Sequence, residues 1–454
     1  MLLCTTLLSI QSAYAMDLNE ALTSAYKTNE QLKQAQQAFL QQAENFPQAL
    51  AKFLPDISAS ISSSKTKTSP VGQFAGPSNP STSNGPNVTR GVQITQNVFN
   101  GGQDAYGMKS AQSAFLQYKA TLYSAEQKML TNAVNAYLGL CVAKEQYDIA
   151  IDAVTFNTRS LNTAQEQLKV GEATITDVAT AQAQLYIAEA NKSTAFASLL
   201  AAKATFRQVI GIEAPDEIAF PQDPDNMPET QDAFAAIVAK SNFDLMSAKS
   251  QLDQSKSDVK QAQGALLPSA NLSLQEQRSY YKPEGSTSSS TGAGINNRSV
   301  SATMSLTIPI LSKGGIAHSN IRQNKAKSRQ YVYQLDYTKK TVDQGVIQAW
   351  EQFQSFKDVI KSTEESVKAQ TLAVEGVQSG YEVGTQTLLD VLTQQNTLNQ
   401  ARSSAVNAKN QYFQVVFAMK SLMGQLTAKQ MKLKAKYFDP DYEFRNVKHK
   451  IVGF

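Results

Sequence analysis

Few side chains in this 454-residue sequence could do chemistry, and their spacing excludes most of it. The two histidines, His318 and His449, stand far apart and read as neither a metal pair nor part of a triad. Cys4 lies in an apolar leader, so a processed chain keeps Cys141 alone. One thiol makes neither an intramolecular disulfide nor a metal cluster, and Cys141 reads as a small helix-packing residue. Gly101-Gly102 and Gly314-Gly315 could suggest phosphate cradles, yet neither belongs to a G-x-G-x-x-G or a P-loop. They read as punctuation between a strand and a helix. No Ser, His and Asp set surrounds a nucleophile elbow. What remains is a pair of carboxylates, Asp177 and Asp390, each shortly after a helix-breaking glycine, Gly171 or Gly384. A carboxylate in a first helical turn complements the helix dipole, which is their simplest reading. The chain therefore reads as a non-enzyme without a cofactor or metal.

The elements that carry these residues follow from composition and period. Gln, Ala, Ser, Asn and Thr dominate long stretches, which suits long helices that bury a narrow seam. A formal net charge of +4, with the charges interspersed, gives no nucleic-acid patch. The segment MLLCTTLLSIQSAYA is apolar and ends in Ala13-Tyr14-Ala15, an A-x-A cleavage pattern, so residues 1–15 read as a secretory signal peptide, although no Lys or Arg precedes the apolar run. No later stretch of about 18 apolar residues offers a transmembrane helix, so a membrane role needs a β-barrel.

One offset organises the chain. Leu54-Pro55 recurs as Leu267-Pro268 (268 − 55 = 213), and the same shift relates Gly101-Gly102 to Gly314-Gly315, Val170-Gly171 to Val383-Gly384, Asp177-Val178 to Asp390-Val391, and Gly211 to Gly424. Asn29 and Leu32 map onto Asn242 and Leu245. The sequence is a tandem duplication of one strand–strand–long-helix unit, residues 16–228 and 229–454, joined near Pro221–Pro228. Each copy is predicted to start with one helix, Leu18–Ala51 or Ala233–Ala265, ended by Pro55 or Pro268. Alternation then predicts strand hairpins over 55–100 and 268–313: Ile57, Ala59 and Ile61 in one, Ala270, Leu272 and Leu274 in the other. The return strand of the second hairpin carries Val300, Ala302, Met304, Leu306, Ile308 and Ile310 on one face; that of the first is weaker, with Gln96 interrupting. Ser/Pro/Gly/Asn-rich segments, 62–90 and 279–298, are predicted loops.

After each Gly-Gly pair no strong breaker occurs until Gly171 or Gly384. A helix of about 65 residues is about 100 Å long. Heptad steps such as Leu161–Leu168 and Val391–Leu398 predict antiparallel coiled-coil hairpins over 103–212 and 316–426. Trp350 falls within one of these helices as a packing residue, and the basic C-terminus is predicted to be a solvated tail. The fold class is α+β. An apolar and a polar strand face suit a membrane barrel with lipid outside and water inside. One chain offers four strands and the smallest such barrels have about eight, so oligomerisation is required; two, three or four chains would each close one.

These residues resemble the TolC family of outer-membrane efflux proteins. The resemblance rests on Leu-Pro before an alternating strand, on Pro-Ile-Leu-Ser-Lys-Gly-Gly (309–315) and Val-Phe-Asn-Gly-Gly (98–102), and on the V-G-x-x-T/A-x-x-D-V turns; it covers residues 17–454. The ending Phe438-Asp439-Pro440…Val447-Lys448-His449-Lys450 also resembles that of type I secretion relatives, with Ile451 where their pattern has Trp. The resemblance implies a homotrimer in the outer membrane, a 12-strand β-barrel continued by an α-helical barrel into the periplasm. It implies export of drugs or proteins, with a periplasmic adaptor and an inner-membrane RND, ABC or MFS transporter docking at the tips, Val170, Gly171, Thr174, Val383, Gly384 and Thr387. It implies a periplasmic gate at Asp177, Tyr381, Gln386 and Asp390. The family's lock arginine falls on Gln386 and its second Asp ring on Thr393, so the lock carries fewer charges here. The alternative, a secreted coiled-coil or adhesin-like structural protein, leaves the paired strand hairpins unexplained.

Overall fold

The computed structural model describes residues 16–67, 84–223, 227–281, 295–448 and 450. The leader, the middles of both hairpin loops, residues 224–226 of the joining segment, His449 and residues 451–454, Ile451 among them, lie outside them. In chain order the first half comprises α1 (Leu18–Thr28), α2 (Glu30–Ala43), α3 (Asn45–Ala51), β1 (Asp56–Lys67), β2 (Asn84–Asn100), α4 (Gln103–Val170) and α5 (Ile175–Ile210). The second comprises α6 (Gln231–Ser241), α7 (Phe243–Gly264), β3 (Ser269–Tyr281), β4 (Ile295–Thr307), a 3-10 turn (Ser312–Gly315), α8 (Ile316–Glu382), α9 (Leu388–Leu422) and α10 (Pro440–Lys448).

Two compact units form, and each takes matching pieces from both repeats. One holds residues 40–118, 248–335 and the C-terminus from Pro440; the other holds residues up to Phe39, 119–247 and 336–439. The duplication is thus not a division into two domains, because the strand hairpins pair with each other. The sheet is antiparallel in the order β1-β2-β3-β4. Its register puts Ile57, Ile94, Leu274 and Ala302 in one cross-strand row. The neighbouring row, on the opposite face, is Ser58, Gln93, Gln275 and Ser301. Among the described residues nothing covers the apolar face: Ile57 is 66% exposed, Val300 and Met304 71% each.

The strands correct the predicted boundaries. Residues 62–67, 84–90, 279–281 and 295–298 belong to strands rather than loops. Their sequences do not alternate regularly between apolar and polar residues, so period does not reveal them, but the ladder continues through them. β2 is continuous despite Gln96, whose Nε2 donates to the carbonyls of Phe53 (3.2 Å) and Asn97 (3.0 Å), and a bulge follows between Asn97 and Phe99. β4 ends at Thr307, so Ile308 and Ile310 lie beyond it, flanking Pro309, which has no N–H for a ladder. Pro55 and Pro268 each stand directly before the first strand of a hairpin.

Gly101 and Gly102, and Gly314 and Gly315, all have positive φ where strand passes to helix. At Gly101 space matters as well: a Cβ would lie 2.2 Å from the Gly264 carbonyl oxygen. The C-terminus corrects the expectation of a solvated tail. In α10, Phe444 stacks on Phe115 at 3.9 Å and meets Phe46 edge-on at 5.2 Å, while Lys448 Nζ sits 5.6 Å from the centre of the Phe46 ring.

The other unit is helical. Its core includes Leu22, Leu130, Val134, Tyr137, Phe206, Phe234, Val416 and Met419, with Cys141 buried among them. Trp350 packs against it, 6.3 Å from Phe353. The Tyr137 hydroxyl lies 2.9 Å from the carbonyls of both Met16 and Ala219. The predicted single first helix of each repeat is broken at Asn29 and at Asn242. Both residues are extended, and each side-chain oxygen caps the next helix, accepting at 3.0 Å from the amide of Leu32 or Leu245. The residues before them repeat a second contact: Thr28 Oγ1 donates to the Ile210 carbonyl at 3.0 Å, and Ser241 Oγ to that of Met423 at 2.7 Å.

Candidate functional site at the helix-hairpin tips

The two helix hairpins turn in the same way, and the sequence dictates how. Gly171 closes α4 with φ 85° and Gly384 closes α8 with φ 78°, a left-handed conformation that glycine adopts without a Cβ penalty. The Glu172 amide bonds the Gln167 carbonyl at 2.8 Å and Gly171 that of Leu168 at 3.1 Å; Thr385 bonds Gly380 at 2.8 Å and Gly384 bonds Tyr381 at 3.1 Å. Both are Schellman endings, which satisfy carbonyls a helix end would leave unpaired.

The outgoing helices start with matching capping boxes. Asp177 accepts from the Thr174 amide (2.9 Å) and hydroxyl (2.7 Å), and its own amide bonds Thr174 Oγ1 at 3.2 Å. Asp390 repeats this with Thr387 at 2.9, 2.6 and 3.2 Å. These bonds hold both carboxyls below their usual range, led by the Thr174 amide at Asp177 and by the Thr387 hydroxyl at Asp390. A Thr three residues before an Asp, after a helix-stopping glycine, was the available signal for the box.

Among the described residues, Asp177 bonds neither Gln386 nor Tyr381 within the chain; its partner is Thr174. Tyr381 instead donates its hydroxyl to Gln167 Oε1, linking α8 to α4. Burial pushes the Tyr381 hydroxyl up, and the nearby Asp177 carboxylate adds to the shift. Tyr381 packs with Phe156, Leu161 and Val178 on a small cluster of Ala164, Ala181, Leu388 and Leu392. Gln386 is exposed, folded back toward Gly380, where an added Cβ would lie 2.7 Å from Gln386 Cγ. Gln167 carries no motif of its own, so sequence reasoning missed it.

The tips present apolar side chains to solvent: Val170 (71% exposed), Ile175 (77%) and Val383 (75%). Behind them, Gln146, Asn157, Gln184, Asn191, Asn396 and Ser403 line a groove of about 650 Å³. Among the described residues no helix is long and apolar enough to cross a membrane, and no three His, Cys, Asp or Glu side chains converge as a metal site. His318 is exposed on α8.

Comparison with known proteins gives one family. The model of the outer membrane efflux protein family matches twice, over residues 21–212 and 237–425, once per repeat. The chain is 28% identical over 452 residues to the outer membrane efflux protein BepC of Brucella suis biovar 1, covering 100% of this chain and 95% of that protein. It is 25% identical over 347 residues to the outer membrane protein TolC of Escherichia coli, covering 74% and 69% of the two. The crystal structure of the outer membrane protein VceC of Vibrio cholerae shares the fold, with a TM-score of 0.74 at 19% identity over 90% of this chain and 96% of that one.

Proposed function

The chain belongs to the outer membrane efflux protein family, and from that premise we propose how it works as an export channel. Three copies close a 12-strand barrel in the outer membrane, and their helices continue it as a periplasmic tunnel. One observation carries the barrel: a four-stranded sheet with an uncovered apolar face, a polar opposite face and two open edges, β1 and β4. A bilayer tolerates no unpaired strand edge, so β1 of one copy pairs with β4 of the next until the ring closes. The number three comes from the family.

The tips serve as gate and dock. Exposed Val170, Ile175 and Val383 offer apolar contacts to the hairpin of a periplasmic adaptor, which links the channel to an inner-membrane RND, ABC or MFS transporter. Tyr381, Asp177, Gln386 and Asp390 hold the resting end shut. Gln386, a neutral amide, gives a weaker latch than an arginine, because charge-assisted hydrogen bonds are roughly twice as strong as neutral ones. The channel supplies no energy itself; the transporter does.

The test has two parts. Outer-membrane fractions should contain a detergent-resistant trimer, and purified protein in planar bilayers should conduct as a discrete channel. Soluble filaments without conductance would favour the structural-protein reading instead. Deleting the gene and measuring both drug sensitivity and the secreted proteome would identify the cargo.

A further inference from the structure

Toward its loop end the apolar face of the sheet carries a row of cations, in which Ile61 also stands, with Val88 and Tyr280 one row further out. The register pairs Arg90 on β2 with Arg278 on β3, and Arg278 with Arg298 on β4. Residues directly opposite share a face, so all three belong to the face that carries Ile94, Leu274 and Ala302. Lys65 on β1 lies on the same face further out. The rows flanking the arginines on the opposite face are Ser60, Gly91, Gln277 and Ser299 on one side and Ser62, Thr89, Ser279 and Asn297 on the other. Arginines placed in the lipid-facing rather than the water-facing set require an explanation.

Their position along the strands supplies part of it. Arg298 is eight residues from Leu306, about 27 Å along the strand. At a tilt of about 40° that is about 20 Å of membrane depth, which puts the row at the rim of an apolar band about 25 Å tall. All the helix junctions lie at the other end of the strands. With the helices in the periplasm, the row faces the headgroups of the outer leaflet.

The charges do not cancel. Side chains opposite one another on neighbouring strands stand about 5 Å apart, a distance at which like charges repel. Glu276, one row nearer the apolar band, accepts from Arg278 (Nε 3.1 Å, Nη2 3.0 Å) and from Arg298 (Nε 2.9 Å) through one oxygen. Arg90 has no ionic partner among the described residues. Three arginines against one glutamate leave an excess of two positive charges per chain in this group, on a face whose other rows carry apolar side chains. Arginine matches phosphate in a bidentate fork, and a phosphate at this height would relieve the repulsion.

We propose that Arg90, Arg278 and Arg298 bind the phosphates of a phosphorylated outer-leaflet glycolipid of the lipid A type, a lipid contact built into the barrel. It rests on the channel reading above.

The test uses the full-length protein purified in detergent. Native mass spectrometry compares retention of three probes: bisphosphorylated lipid A, its dephosphorylated form and phosphatidylglycerol. The expected result is at least tenfold stronger retention of bisphosphorylated lipid A than of either other probe. The R90Q/R278Q/R298Q variant loses that preference, and R322Q/K325Q/R329Q on α8 keeps it. Equal retention of the phosphorylated and dephosphorylated forms overturns the proposal, as does equal retention of phosphatidylglycerol. So does an unchanged preference in R90Q/R278Q/R298Q. If that variant fails to assemble, the three-probe comparison on the unsubstituted protein decides alone. Fractionation separates the two readings: protein in the outer membrane without the lipid preference sinks this proposal only, whereas absence from the outer membrane sinks the channel reading as well.

Discussion

Gln167 holds both ends of one tie: its backbone carbonyl closes the α4 turn by accepting from Glu172, and its side-chain carbonyl accepts the Tyr381 hydroxyl from α8. The shape of the first tip and its attachment to the second hairpin therefore share a residue. Tyr381→Phe removes the hydroxyl and keeps the ring on its small cluster. A neutral hydrogen bond is worth about 1 kcal/mol, so the open fraction of the channel should rise about fivefold. Single-channel recording would show it, and Gln167→Ala combined with Tyr381→Phe should open the channel little further than either change alone.

Gln386→Arg restores a charge at the tip. Under the proposed gate it should lower resting conductance in planar bilayers, and the effect should weaken as salt is raised. Conductance equal to the unsubstituted protein at low salt would remove Gln386 from the latch.

The two capping boxes should make the tips sensitive to acid. Both Asp177 and Asp390 have carboxyls held below their usual range, so their contribution to folding is present above that range and is lost as pH falls through it. Protection of the amides at the starts of α5 and α9, relative to their intrinsic exchange rate at each pH, should fall below about pH 4, before the helical core opens. Thr174→Ala should weaken the α5 start at neutral pH by about 1 kcal/mol, read as about fivefold faster exchange there.

Glu126 acts in the opposite direction. It is buried in the helical unit, where burial raises its pKa to about 7, although the Ala428 amide donates to it at 2.6 Å. A carboxyl whose pKa is raised on folding stabilises the protein below the ordinary glutamate range and loses that contribution as pH rises through about 7. Thermal stability should fall between pH 4.5 and 7. Glu126→Gln keeps an acceptor for Ala428 and removes the charge, so it should flatten this slope and raise stability at pH 7 by on the order of 3 kcal/mol. An unchanged pH profile would show that the group does not titrate there.

Phe444→Ala tests the packed C-terminus. Full burial would make a Phe→Ala change worth 3–5 kcal/mol; Phe444 is half-buried, so about 2 kcal/mol is expected. Proteolysis should then trim the chain back toward Pro440. Unchanged protease resistance would mean that the stack on Phe115 does not hold α10.

The sequence by itself determined what repeats within one segment. Alternation marked the strand cores, the Gly-Gly and Val-Gly pairs marked the turns, and the constant offset marked the duplication. These are set by backbone geometry over a few residues. Even the breaks at Asn29 and Asn242 were written there, as a repeated capping residue inside a helical pattern, though period alone ran through them. Tertiary structure decided what depends on partners distant in the chain. The pairing of β2 with β3 joins the two repeats into one sheet, so the compact units cut across the duplication. The same register brings Arg90, Arg278 and Arg298 into one row, and helix packing gives Tyr381 its bond to Gln167 rather than Asp177. A shift of one residue in the sheet would move every one of those side chains to the other face, and no local pattern fixes a register between segments almost two hundred residues apart.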